Sequence, residues 1–235
     1  MSVRSTFALA GTSLALVAAP AAVAQASPAV PASAGPAVTV RVEGVNHVLL
    51  KPTTVHAPTS GSITTGGTPA GACPAASAAG ALNVATHHRW KGTYSSGLGI
   101  EITQILGETD KYTPHGHYWG IYVDNAFASK GICDLKLKPG EQLLFAAVPA
   151  TGTVTPLGLT GPSKVTAGRI FTLKVVAYNA KGKAKPVAGV KVSGAAKPSN
   201  AHGLVTVTEA RRGTAHFTAF GKGFVRSAPL AVKVG

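Results

Sequence analysis

The sequence predicts two folded units: an α+β mixed sheet crossed by one helix, then an all-β antiparallel sandwich. Three observations predict this. The first is periodicity. Between residues 38 and 148, alternating apolar runs flank a single stretch with helical spacing, whereas from residue 170 onward only short alternating runs recur. The second is charge. Residues 37–149 carry eight Lys/Arg against seven Asp/Glu, while residues 150–235 carry thirteen against the single Glu209. So sharp a change across the uncharged stretch 147–163 marks two surfaces of different character. The third is composition: few aromatic and charged residues, with many Gly, Thr and Val, suit small β domains.

Residues 1–26 read as a secretory signal. Arg4 precedes an apolar run from Phe7 to Val23, and Ala24-Gln25-Ala26 supplies the small residues a signal peptidase needs, so cleavage is expected after Ala26. The alternative, an uncleaved anchor, fits less well. Pro20 and the many alanines leave the run short of the ~20 strongly apolar residues a span requires. Residues 27–36 (SPAVPASAGP) form a Pro/Ala/Ser linker that cannot bury a core. No second apolar segment follows, so no transmembrane segment is expected after cleavage.

The first unit is assigned to residues 37–149. Val38-Thr-Val-Arg-Val42 alternates strictly, which puts Val38, Val40 and Val42 on one face of a strand. His47 to Val55 gives a second extended run, broken by Pro52. A Thr/Gly/Ser/Pro stretch from Ala57 to Pro74 reads as a long loop. Ser77 can cap a helix carrying Ala78, Ala81, Leu82 and Ala85, with its end expected near His88. Gly99 to Leu106 is a strand. His117 to Ala128 is a hairpin turned at Asp124-Asn125, residues that tolerate the positive φ angles of a tight turn. In that hairpin Trp119, Ile121 and Val123 share one face, and Tyr118 and Tyr122 the other. Pro139-Gly140 turns the chain into a last strand, Gln142 to Val148. Strand, strand, helix, then strands is a β-grasp outline.

Two cysteines in an exported chain are most simply one disulfide, Cys73 to Cys133. Its loop of about 60 residues would stabilise by ~4 kcal/mol in the chain-entropy model. Two free thiols are the rival, and a metal pair fits less well, because structural zinc wants four ligands at tight spacing. The histidines lead to the same place. His115 and His117 are spaced for one face of a strand, but Pro114 and Gly116 make His115 a loop residue, and adjacent His87-His88 diverge by about 100° on a helix. No metal site is assigned to them. They read instead as a cationic, titratable surface.

Catalysis has little support. Glu101, Glu108, Asp110, Asp124, Asp134 and Glu141 each fit a strand, turn or loop. Neither a Gly-x-Ser-x-Gly nucleophile turn nor a phosphate-cradling Gly-rich loop is present. Triads assembled in space leave no local trace, so their absence is an expectation only.

The run Ala81-Leu82-Asn83-Val84-Ala85 before Trp90, then Ile102 to Gly107, Tyr118-Trp-Gly-Ile-Tyr-Val-Asp-Asn125, Gly131-Ile-Cys133 and Leu137-Lys-Pro-Gly-Glu-Gln-Leu-Leu-Phe145 resembles the transcobalamin C-terminal-like family. The resemblance covers nearly all of the first unit. It implies a β-grasp domain of the kind common in secreted actinobacterial proteins. In animal cobalamin carriers a related domain caps a vitamin held by a separate helical domain, which this chain lacks. The resemblance therefore suggests cobalamin as a possible ligand and assigns no contact residue. Its motif residues read as structural: Trp119 as core, Asp124-Asn125 and Pro139-Gly140 as turns.

Residues 150–163 are assigned to a linker and first strand, and residues 164–235 to the basic unit. Ile170 to Tyr178 places Phe171, Leu173, Val175 and Ala177 on one face. Ala188 to Ser193, Leu204 to Thr208, Gly213 to Phe220 and Leu230 to Val234 follow at sandwich spacing. The phrases Val165-Thr-Ala-Gly-Arg-Ile-Phe-Thr-Leu, Pro186-Val-Ala-Gly-Val-Lys-Val and Gly213-Thr-Ala with Gly223-Phe-Val-Arg-Ser resemble bacterial immunoglobulin-like domains. A lone acid argues against a calcium site, which needs several carboxylates. Lys181, Lys183 and Lys185 on one loop and Arg211-Arg212 at another tip are candidate contacts to anionic polymers, with binding that falls as salt rises. The alternative is a solvated, solubilising surface.

Together these features point to a secreted, non-enzymatic binding protein, with association to the cell wall as a further expectation. The first unit would recognise an extracellular ligand or partner. The second would act as a spacer or hold the chain near anionic envelope polymers or another surface protein; intracellular nucleic acid is not expected. A corrinoid-capture protein and a purely structural adhesion protein are the alternatives.

Overall fold

Both faces of the first sheet are covered, and that fact organises the molecule. The computed structural model describes Met1 and residues 34–114, 116–152 and 154–235. The signal, its cleavage site, the linker as far as Ser33, His115 and Thr153 lie outside the described residues. Strands β1 (Ala37–Glu43) and β2 (Val48–His56) form a hairpin, followed by helix α1 (Ala78–Ala85). Strands β3 (Trp90–Ser95), β4 (Gly99–Ile105) and β5 (Glu108–Thr109) form a small antiparallel meander. Then come β6 (His117–Val123), β7 (Ala126–Phe127) and β8 (Gln142–Pro149). The main sheet runs β2-β1-β8-β6-β7. It is mixed: β1 lies parallel to β8, and every other neighbour is antiparallel.

Val38, Val40, Val42, Leu143 and Phe145 of this sheet pack with Leu82 of α1, Trp90, Ile105, Trp119 and Ile132 into one core. The opposite face is where simple alternation misleads. Arg41 and Glu43 alternate with the core valines and so read as solvent-facing, yet they are 6% and 1% exposed. The following half of the chain lies over them. Leu144, Ala146, Val148 and Tyr122 on that face pack with Val225 into a small bridging cluster.

Several local expectations need correction. Pro52 does not break its strand. It lies on the edge strand β2, where two residues, Lys51 and Pro52, bulge opposite Arg41 and no ladder donor is required of it. The helix stops at Ala85 and not near His88. Thr86 caps it, its hydroxyl donating to the Leu82 carbonyl at 2.7 Å, and His87 and His88 adopt φ of 51° and 62°. Ser77 has the extended backbone of an N-cap but makes no capping bond, since its hydroxyl donates to the Pro74 carbonyl at 2.6 Å. The first helical amides are satisfied from elsewhere: Ala78 N–H donates to the Leu135 carbonyl and Ala79 N–H to that of Ile132. The strand Trp90–Ser95 is an addition, with Trp90, Gly92 and Tyr94 more buried than Lys91, Thr93 and Ser95. The run Ala188–Ser193 contracts to a two-residue strand, and Gly213–Phe220 divides at Thr218.

The rest of the chain is all β: β9 (Thr155–Thr160), β10 (Lys164–Val165), β11 (Ile170–Tyr178), β12 (Ala184–Pro186), β13 (Lys191–Val192), β14 (Leu204–Thr208), β15 (Gly213–Phe217), β16 (Ala219–Phe220), β17 (Phe224–Val225) and β18 (Leu230–Val234). Strand β11 pairs with β9 along one edge and with β14 then β12 along the other. A second sheet runs β10-β18-β15, and β13 pairs with β16. Leu159, Leu173, Val175, Val205 and Val207 from the first of these layers meet Phe217, Ala219 and Val232 from the others in a separate core. Residues 34–235 thus hold two main cores within one compact unit. Among the described residues no helix is long and apolar enough to cross a membrane.

Candidate ligand groove and interlobe contacts

The disulfide stands at the edge of a concavity. Cys73 and Cys133 are bonded, with their Cα atoms 4.8 Å apart. The bond holds residues 73–77 against residues 131–137, and a bridge between Ser77 and Lys136 continues the contact. Beside it opens a groove of about 960 Å3. Pro36, Pro58, Pro74, Leu98 and Leu137 supply its apolar wall, and Lys130, Asp134 and Lys136 its charged rim. Leu98, at the β3–β4 turn, is 82% exposed. An exposed leucine facing three prolines offers apolar area for burial, and a rim of both charge signs can orient a ligand. The groove escapes sequence reasoning because its wall residues come from four separate loops.

The motif residues sit as follows. Trp119 is buried, with its indole N–H unpartnered among the described residues. Asp124 and Asn125 adopt φ of 49° and 65°, and the Asp124 carboxylate accepts the Gln142 N–H at 2.9 Å, tying the hairpin turn to β8. Gly140, at φ 85°, follows Pro139 and donates its N–H to the Ala37 carbonyl at 2.8 Å, which anchors the start of β1. Only a residue free of a Cβ adopts that angle without strain.

The basic candidates fall into two groups. Lys181 and Lys183 are exposed on the β11–β12 connection, whereas Lys185, expected on the same loop, is exposed within β12 and pairs with Ala177. Asn179 organises its tip, the side-chain oxygen accepting the Lys181 and Lys183 amides at 2.9 and 3.0 Å. Arg211 and Arg212 are exposed beyond β14, where the Arg211 amide donates to Glu209 at 2.9 Å. Strand β11 pairs with Ala184 at its Tyr178 end and with Thr208 at its Ile170 end. The two groups therefore lie at opposite ends of a nine-residue strand, roughly 26 Å apart.

One basic residue of this half is turned inward and ion-paired, its side chain only 21% exposed. Arg226 Nε donates to Glu43 Oε2 at 2.9 Å, and Arg41 Nη1 donates to Glu43 Oε1 at 2.7 Å. Arg226 Nη2 also reaches the Gly44 carbonyl at 2.7 Å, and Arg41 Nη1 the Arg226 carbonyl at 2.9 Å. Burial lowers the pKa of Arg41, and the adjoining Glu43 carboxylate opposes that shift. A buried carboxylate between two guanidinium groups satisfies the rule that buried charge be paired and hydrogen-bonded. It ties residues 183 positions apart.

The turn after Glu43 is held from its other side too. The Val45 amide donates to Glu108 Oε1 at 2.6 Å, and a Cβ on Gly44 would collide with that carboxylate. Asp110 is 8% exposed, and one of its oxygens lacks a partner among the described residues. Burial first, and Glu108 second, push its pKa above the usual value, while His117 opposes them.

No curated protein matches the chain. Residues 84–147, which run from the last turn of α1 through β8, match the family model described as a domain of unknown function, DUF4430, a transcobalamin-like domain.

Proposed function

We propose that this chain is an exported, non-enzymatic binding protein. In this reading the mixed-sheet lobe is a β-grasp domain that recognises an extracellular ligand or partner. The basic half is an immunoglobulin-like module that spaces that lobe or holds it near the anionic envelope. The observation that carries the reading is the groove beside Cys73–Cys133: it is apolar-walled, charge-rimmed and framed by a covalent bond. Its volume of about 960 Å3 lies at the upper end of the roughly 300–1,000 Å3 typical of small-molecule sites. A macrocycle is of that scale, and the transcobalamin-like character of residues 84–147 makes a corrinoid the first ligand class to test.

The test is calorimetric titration of the full chain with cobalamin and its precursor corrinoids at physiological salt. The full chain is required because Arg226 completes the environment of Glu43. Saturable one-to-one binding that Leu98→Asp abolishes would support capture in the groove. No heat at any concentration would remove corrinoids, and saturable binding that Leu98→Asp leaves unchanged would remove the groove.

A further inference from the structure

A second cavity, separate from the groove, lies between the β6–β7 hairpin and the β9–β11 pair. It measures about 250 Å3 and draws its walls from both halves of the chain. Tyr118, Tyr122 and Phe127 form one wall; Pro156, Tyr178 and Asn179 form the other. Tyr122 and Phe127 meet edge to face, with ring centroids 5.4 Å apart and planes at 84°. Tyr118 is braced by Tyr112 in a second edge contact at 6.3 Å. Two backbone contacts fix the walls relative to each other: the Phe127 amide donates to the Ala180 carbonyl at 3.0 Å, and Ala126 bridges Lys181.

The polar groups here are unusual. Tyr122 is 3% exposed, and burial, with Tyr118 second, pushes its pKa up to about 12, so the phenol keeps its proton at physiological pH. Among the described residues, the polar side-chain atoms that are fully enclosed without a partner are Asp110 Oδ2 and Trp119 Nε1. The hydroxyls of Tyr118, Tyr122 and Tyr178 likewise have no partner among the described residues, but they belong to side chains that line open space. Asn179 adds donors, because its oxygen is already engaged by the Lys181 and Lys183 amides and its Nδ2 is not. Buried hydroxyls seek partners. The Tyr122 ring is buried and those of Tyr118 and Tyr178 are half-buried, and three phenols around a slot walled by Phe127, Val148 and Pro156 define a ligand with a hydrogen-bonding edge and an apolar face.

Charge narrows the class. No charged side chain lines the cavity, although one wall comes from a half with thirteen Lys/Arg and one acid. An aromatic cage for a quaternary ammonium gains from nearby negative charge, and this field is positive. Nor does a lysine or arginine reach in to meet an anion. The volume falls below that of a typical drug-sized site and suits one ring. We propose that this cavity binds a single neutral sugar ring, an uncharged pyranose, whose C–H face packs on the aromatic wall while its hydroxyls bond to the tyrosine phenols and Asn179. Free sugar and the terminal unit of a glycan share that chemistry.

The experiment is titration of the full chain with glucose, N-acetylglucosamine and their short oligomers, with glucuronate, choline and phenol as controls, read by aromatic-ring NMR shifts. Saturable shifts of Tyr118, Tyr122 and Tyr178 with a neutral sugar are expected, with glucuronate no better. Tyr118→Phe and Tyr178→Phe keep the rings and remove one hydroxyl each, so each should weaken binding about fivefold to tenfold. Ala180→Phe should fill the mouth and abolish binding with the melting temperature unchanged. Equal affinity for monomer and oligomer identifies free sugar; tighter oligomer binding identifies a glycan end. Absence of saturation with any neutral sugar, saturation that survives Ala180→Phe, or a preference for choline or phenol would overturn the proposal. None of these outcomes bears on the groove, whose lining residues are different.

Discussion

Glu43 shows what a single side chain decides in this molecule. At 1% exposure, with one arginine on each carboxylate oxygen, it is the junction between the sheet and the half of the chain that covers it. Its two partners are not equivalent. Glu43→Ala leaves the buried Arg41 without a counter-charge and is expected to destabilise by about 3–5 kcal/mol. Arg226→Ala leaves Glu43 still bonded to Arg41 and should cost about 1.5–3 kcal/mol, the value of hydrogen bonds to a charged group. Urea unfolding of the two variants measures the difference, and equal losses would contradict this division. Asp110 presents the opposite case, a carboxyl that the fold disfavours as an anion. Because its folded pKa is raised above the unfolded one, the folded state holds the proton more tightly between the two values. Its contribution is present below the ordinary pKa of 3.8 and is lost as pH rises through the raised value. Asp110→Asn should therefore flatten that part of the stability profile and stabilise at neutral pH. The gain should be under about 1 kcal/mol, and thermal melts at acid and neutral pH read it.

At the level of elements, the helix and its neighbours show why sequence reading succeeded in part. The Asp124-Asn125 hairpin, β11, β14 and β18 are legible because turn chemistry and strict alternation are local properties of the chain. The end of α1 is not legible, because His87 and His88 enter left-handed backbone that neither residue type demands. Its start is capped by carbonyls of Ile132 and Leu135, more than fifty residues away, which no capping rule could find. That long-range cap depends on Cys133. Replacing both cysteines by alanine is expected to destabilise by about 2–5 kcal/mol. It should also raise hydrogen exchange at the Ala78 and Ala79 amides above that elsewhere in the helix. Unchanged protection at those two amides would show that the 131–135 segment holds its place without the disulfide. The groove draws its walls from the same long-range pairing of loops, so its legibility fails for the same reason.

At the scale of the whole molecule, the two candidate clusters hold five of the thirteen basic residues of the second half, and Arg226 is ion-paired to Glu43. Charge counting reads thirteen basic residues as one field, but Arg226 is spent on Glu43, and β11 keeps Arg211-Arg212 roughly 26 Å from the lysine loop. That distance exceeds the Debye length of about 8 Å at physiological salt, so in the proposed contact with an anionic polymer the two clusters would act separately. Neutralising Lys181, Lys183 and Lys185 should reduce the salt dependence of retention on a teichoic-type polyanion by roughly three counter-ions' worth. Neutralising Arg211 and Arg212 should reduce it by roughly two, and combining all five should give the sum, since sites this far apart without shared partners are additive. Retention measured against salt concentration for the three variants tests this. A combined effect well beyond the sum would mean that one polymer segment bridges both clusters cooperatively. Retention unchanged in all three would reduce the basic surface to a solubilising one and leave the groove and the aromatic cavity as the remaining candidate sites.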